Sequence, residues 1–322
     1  MEQNPNLNDL DIYRLKSILR EMSFHDLYQL ANEYQVEIPI DALDIFAMVD
    51  AFVDGLPSRF QQELLRKYGD AGRRSTYVYI SKAKTPPVRQ MYQNALKLLR
   101  IKNESPIWQD YPYYENVELE VSNNALKIRF HYLHGVVVTL DEKGNQKEER
   151  LKFSGVAVYR QESRLLEVRA KHKMISDKIA TNTSTQLSLP AYETINLMDE
   201  KLIKLFVDWI NSLNSANIEL ATNDLIAGSL RITARKGMDL KTASKFAEEL
   251  KNGQLIGGHV TIDHENTIIN FRINFRDCHI TYTLFTSEDQ ISYVLDAIEK
   301  IMEGYKFERP KRMLHEFFGK QD

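Results

Sequence analysis

The spacing of apolar residues changes near residue 113, from the period of an α-helix to the period of a β-strand. Before that point apolar residues recur at helical intervals, as in the set Leu10, Leu15, Ile18, Leu19 and Met22. After it they alternate with polar residues, as in Leu126, Ile128, Phe130 and Tyr132. We therefore predict an α+β protein, in which an N-terminal helical bundle is followed by antiparallel sheets with helices packed on one face.

Capping and turn residues predict five helices in the first hundred residues. Ser23 with Asp26 has the spacing of a capping box, Asp41 is placed to begin a third helix, and Gly55 to end it. A fourth helix is predicted from Pro57 to Gly69, and a fifth after Thr85. A strand that carries Tyr77 and Tyr79 lies between these last two helices.

The remainder of the chain predicts strands with a few long helices. Helices are expected near 174–180, 198–213, 239–250 and 287–302, the last with Ser287 capping toward Gln290. The polar stretch 181–190 is interpreted as a connector. These patterns divide the chain into a helical domain (1–110), an antiparallel β-rich subdomain (111–190) and an α+β subdomain with C-terminal helices (191–322).

Composition restricts the class of protein. The single cysteine, Cys278, excludes an intramolecular disulfide and a cysteine-based zinc site. Apolar stretches are too short for a transmembrane helix, and the polar, acidic N-terminus does not have the pattern of a signal peptide. We therefore expect a cytoplasmic protein with no membrane partner, no cofactor and no metal.

The charge of the chain reverses sign at residue 64. Residues 1–63 hold 12 acidic and 4 basic residues, whereas 64–102 hold 10 basic residues and Asp70. Lysine and arginine at this density favour a DNA or RNA partner held through its phosphates. The candidate nucleic-acid-binding residues from this block and from later strands are Arg66, Lys67, Arg73, Arg74, Lys82, Lys84, Arg89, Arg169, Lys171, Arg272 and Arg276.

These residues are compatible with three functional hypotheses. The first is a non-enzymatic binding or assembly protein that holds nucleic acid on a basic surface and a protein partner on the acidic N-terminal bundle. The second is a pure protein–protein adaptor or self-assembling scaffold, a homo-oligomer in which acidic and basic blocks pair. The third is a metal-dependent nuclease, because strand alternation places Glu167, Arg169 and Lys171 on one face, although Arg169 stands where lysine is expected.

Two segments resemble known families. Residues 24–54, with the extended run Val36-Glu37-Ile38-Pro39, resemble the helix–extended loop–helix of SAP-type and Rho N-terminal modules, which implies nucleic-acid binding. The acidic residues here favour a protein-interaction role instead. Residues 229–303, with the string Met238-Asp239-Leu240-Lys241-Thr242, resemble one half of the TATA-binding-protein fold, and the whole layout is similar to that of centromere protein N. These resemblances imply a fold and carry little functional weight.

Overall fold

The computed structural model describes residues 7, 9–38, 44–70, 75–81, 83, 86–101, 113–120, 125–140, 146–160, 165–187, 191–220, 228–265 and 267–304. Within these ranges the helices are α1 (Asp9–Leu19), α2 (Phe24–Glu33), α3 (Ile45–Gly55), α4 (Ser58–Tyr68), α5 (Val88–Ile101), α6 (Lys173–Gln186), α7 (Glu200–Trp209), α8 (Ser244–Glu249) and α9 (Glu288–Met302). A 3₁₀ turn spans Leu240–Thr242.

Eleven strands of the described residues form one antiparallel sheet. They are β1 (Ser75–Ser81), β2 (Tyr113–Glu120), β3 (Ala125–Leu140), β4 (Gln146–Arg160), β5 (Leu165–Arg169), β6 (Tyr192–Thr194), β7 (Ser212–Leu220), β8 (Ser229–Thr233), β9 (Gly253–His264), β10 (Thr267–Asn274) and β11 (His279–Tyr282). Their order is β2-β3-β4-β5-β1-β11-β10-β9-β7-β8, and β6 pairs with β1. Strand β1 therefore joins the two groups of strands, because it pairs with β5 on one side and β11 on the other.

Different helices cover the two faces of the sheet. On the first face, α7 and α9 share a hydrophobic core with β9, β10 and β11, and with Val78 of β1. On the second face, α5 and α6 pack over β1 to β5, where Tyr77 and Tyr79 of β1 point. The second face of β7 to β11 remains uncovered by the described helices, and its residues alternate between exposed and buried along β10.

Helices α1 to α4 form a bundle with a core of its own, built on Leu15, Leu27, Val49, Phe52 and Leu64. The bundle lies on the first face of the sheet, where α4 contacts α9. Side-chain caps begin α2 and α3. The Asp26 amide donates to Ser23 Oγ, as the sequence predicts, and the Phe46 amide donates to Asp44, three residues after the predicted start at Asp41.

The α+β class is confirmed, and so are the helices predicted before Gly69. The third helix begins after Asp44, whereas the predicted start at Asp41 lies outside the described residues. The prediction that residues 181–190 form a connector is wrong over 181–186, because α6 continues to Gln186. Thr183 and Ser184 are buried there and hydrogen-bonded, so polar composition did not mark a loop. The division into three domains stays a prediction.

None of the helices in the described part of the chain is both long enough and apolar enough to cross a membrane.

Candidate functional site

Strands β8, β7, β9, β10 and β11 present a polar surface on the second face of the sheet that none of the described helices covers, and we call it the open face. The register of the paired strands determines which residues lie side by side on the open face. One row across the strands consists of Thr281, Arg272, His259, Ser215 and Thr233. The next row consists of His279, Asn274, Gly257, Asn217 and Arg231. With strands about 4.8 Å apart, each row extends for about 19 Å.

Period-two alternation explains why these side chains share a face. In β10, Phe271 and Ile273 are buried in the core under α9, so the alternating residues Arg272 and Asn274 point outward. In β9, Val260 is buried in the same core and His259 points outward. The sequence pattern alone predicts this division for β10.

Arg272 and Arg231 give the open face a positive charge. Both are exposed, and neither forms an ion pair with a carboxylate of any residue that the structure describes. Partial burial, together with the charges of Arg272 and Arg231, holds the pKa of His259 below its ordinary value. Arg276, at the end of this surface, is ion-paired with Glu219 and so is already neutralised.

Gly257 is a tightly packed position in the second row of the open face. It lies between Asn217 and Asn274 on the neighbouring strands and two residues from His259. A Cβ atom at this position would lie 2.3 Å from the carbonyl oxygen of Ile273, which is too close for any side chain. Glycine is therefore required at this buried position, and Asn217, Asn274 and His259 lie around it.

The basic block 64–102 is divided by the sheet. Arg66 is exposed and Lys67 half-buried on α4, which belongs to the bundle on the first face. Arg89 is exposed on α5, which packs on the second face. Strand β1 between them runs through the middle of the sheet. Arg73, Arg74, Lys82 and Lys84 lie outside the described residues.

Arg169 is not part of any surface, which corrects its inclusion among the nucleic-acid-binding residues. Its side chain is 1% exposed, and its guanidinium bonds Glu167 at 2.5 Å and Glu288 at 2.5 Å. Arg169 lies on the first face of β5, and α9 and the bundle cover that face. Alternation predicts that Arg169 points away from Val168, but it does not say whether that side meets solvent.

The nuclease-like set is not brought together on an accessible surface. Glu167 is fully buried beside Arg169, so a substrate phosphate cannot reach either side chain. Lys171 is exposed beyond the end of β5, and its ammonium lies 4.9 Å from the ring centroid of Phe153. Among the described residues, no group of three or more His, Cys, Asp or Glu side chains is arranged to hold a metal ion.

Sequence reasoning missed Arg231 and His259 as members of one site. They lie far apart in the chain and become neighbours through β7, which pairs with β8 on one side and β9 on the other. The detectable signal was the arginine within the strand pattern Leu230-Arg231-Ile232. Comparison of the chain with known protein families and with curated proteins finds no match.

Proposed function

We propose that the protein is a non-enzymatic nucleic-acid-binding and assembly protein that holds backbone phosphates on its open face. The observation that carries this proposal is the pair Arg272 and Arg231, exposed on one flat surface and without a carboxylate partner among the described residues. Arginine binds phosphate through two parallel hydrogen bonds, and each such contact releases counterions from the nucleic acid.

The remaining groups of the open face suit sugars and base edges. Asn217, Asn274 and Thr233 are exposed and supply both donors and acceptors. Exposed aromatic rings are absent from the two described rows, so base stacking contributes little. We therefore expect salt-dependent binding with weak sequence preference.

The acidic bundle is assigned to a protein partner in the same proposal. Three aromatic side chains of the bundle are strongly exposed: Tyr13 at 67%, Phe24 at 46% and Phe46 at 53%. Exposed aromatic residues are enriched at surfaces that bind other proteins.

The test is a fluorescence-anisotropy titration of the full chain with labelled single-stranded DNA, single-stranded RNA and duplex DNA, over a series of salt concentrations. Arg272→Gln combined with Arg231→Gln should weaken binding at least about tenfold and reduce the salt slope by about 2, one for each lost phosphate contact. The matched control, Arg66→Gln combined with Lys67→Gln, removes the same charge from α4 and should leave both quantities unchanged.

Two outcomes contradict the proposal. If the α4 control weakens binding and the open-face variant does not, the basic block is the contact surface. If the wild-type chain binds none of the three probes at low salt, the adaptor hypothesis replaces nucleic-acid binding, and the oligomeric state becomes the quantity to measure.

A further inference from the structure

The N-terminal bundle is joined to the sheet by one passage of the chain, from Asp70 at the end of α4 to Ser75 at the start of β1. Its hydrophobic core is separate from the two large cores of the sheet. Phe285, which follows β11 on the sheet side, packs against the bundle core. Its ring centroid lies 4.9 Å from that of Tyr68 in α4. A unit with its own core and one covalent connection is suited to move as a body.

Asp70 provides the polar contact between the bundle and the sheet. Its carboxylate accepts hydrogen bonds from Arg129 of β3 at 2.8 and 3.1 Å, and it is also ion-paired with Arg14 of α1. Its backbone carbonyl accepts from Arg169 of β5 at 2.8 Å. Burial alone would raise the pKa of Asp70, but the charges of Arg129 and Arg14 outweigh it and hold that pKa well below its usual range.

The contact continues from Arg169 to α9. Arg169 donates to both oxygens of Glu288, at 2.5 and 2.9 Å, in the first turn of that helix. The interior beneath the bundle is polar and incompletely satisfied, since Glu167 Oε2 and Thr76 Oγ1 are buried without a hydrogen-bond partner among the described residues. Loss of one ionic partner from such a buried contact is costly, because the remaining charge is left uncompensated.

A cleft of about 440 Å³ lies at the same junction, between the bundle and the sheet side. The bundle contributes Met22, Gln29 and Lys67 to its walls, and the sheet side contributes His264 and Asp289. Because its walls belong to separately packed units, the width of the cleft depends on how the bundle is seated.

We infer that Asp70 is a latch, and that the bundle is a hinged lid whose release from Arg129 and Arg169 widens this cleft. The latch closes when the Asp70 carboxylate engages Arg129 and its carbonyl engages Arg169. It opens when the carboxylate charge is removed. This inference does not depend on nucleic-acid binding, and its test contains no nucleic acid.

The test measures the width of the cleft by pulsed electron paramagnetic resonance. Spin labels are attached to Gln29→Cys and Asp289→Cys, two exposed positions on opposite walls, in a Cys278→Ala background. Asp70→Asn should shift the distance distribution to longer values and broaden it. Asp50→Asn is the matched control, because Asp50 pairs with Lys16 and Arg20 inside the bundle and does not reach the sheet.

A second variant keeps the inference falsifiable if Asp70→Asn fails to fold. Arg129→Gln removes the partner on the sheet and leaves Asp70 paired with Arg14, so it should open the cleft in the same way. Circular dichroism confirms that each variant is folded. Unchanged distances in a folded Asp70→Asn and a folded Arg129→Gln protein would overturn the inference, as would an equal shift in Asp50→Asn.

Discussion

His259 and Arg272 occupy directly opposed positions on β9 and β10, so the charge of the arginine acts on the imidazole. Burial is the larger cause of the lowered pKa of His259, and the charges of Arg272 and Arg231 add to it. The open face is therefore positive even while its histidine is neutral. This relationship makes His259 an internal probe of the electrostatic potential at the candidate site.

Replacing Arg272 by glutamine should raise the pKa of His259, because a positive charge that disfavours the imidazolium is removed. The shift is measured by NMR titration of the His259 ring protons in the folded protein. Arg276→Gln is the control, since Arg276 is ion-paired with Glu219 and does not contribute to the lowered pKa. An equal effect of both variants would contradict the assigned geometry.

The sign of the pH dependence of stability follows from the same shift. Because the pKa of His259 is lower in the folded state than in the unfolded chain, the folded state binds fewer protons. The contribution of His259 to stability is therefore present above the ordinary imidazole pKa of about 6.5 and is lost as pH falls below it. Denaturant unfolding at a series of pH values should show that this loss becomes smaller in Arg272→Gln.

Nucleic-acid binding at the open face should raise the pKa of His259. A phosphate next to Arg272 and Arg231 favours the imidazolium, so affinity should increase as pH decreases through the histidine range. Anisotropy titrations at constant salt measure this dependence, and His259→Gln should remove it. If binding is detected but its pH dependence survives in His259→Gln, the phosphates lie elsewhere.

Arg169→Leu should lower the free energy of unfolding by about 3–5 kcal/mol, since Glu167 and Glu288 lose their buried cation. Arg235→Leu is the control for charge and size, because Arg235 is exposed after β8. Urea unfolding of the two variants gives the comparison. Equal stabilities would mean that the Arg169 network does not stabilise the fold.

Local signals in the sequence were sufficient for most helices and for the inward and outward sides of β10. The Ser287 capping box forms at the start of α9, and the alternation around Phe271 and Ile273 separates the core from the open face. These features depend on neighbours within a few residues. That is why they can be predicted from a single sequence.

Features that depend on distant pairing were not predictable in this way. Arg169 is buried because α9 and the bundle cover its face of β5. The residues next to it in the sequence do not indicate that this face is covered. The basic block predicted one surface, yet α4 and α5 lie on opposite faces, since β1 between them enters the centre of the sheet. Charge density along a chain does not specify which side of a sheet each charge will reach.

The last prediction concerns Gly257, where the backbones of β9 and β10 leave no space for a side chain. Gly257→Ala places a Cβ atom 2.3 Å from the Ile273 carbonyl oxygen, so β9 and β10 must separate. We expect the free energy of unfolding to fall by about 1–3 kcal/mol. Gly228→Ala is the matched control, because no atom of the described residues lies within 4 Å of a Cβ atom there. Urea unfolding measures both variants, and a Gly257→Ala protein as stable as the control would show that the two strands do not approach as closely as described.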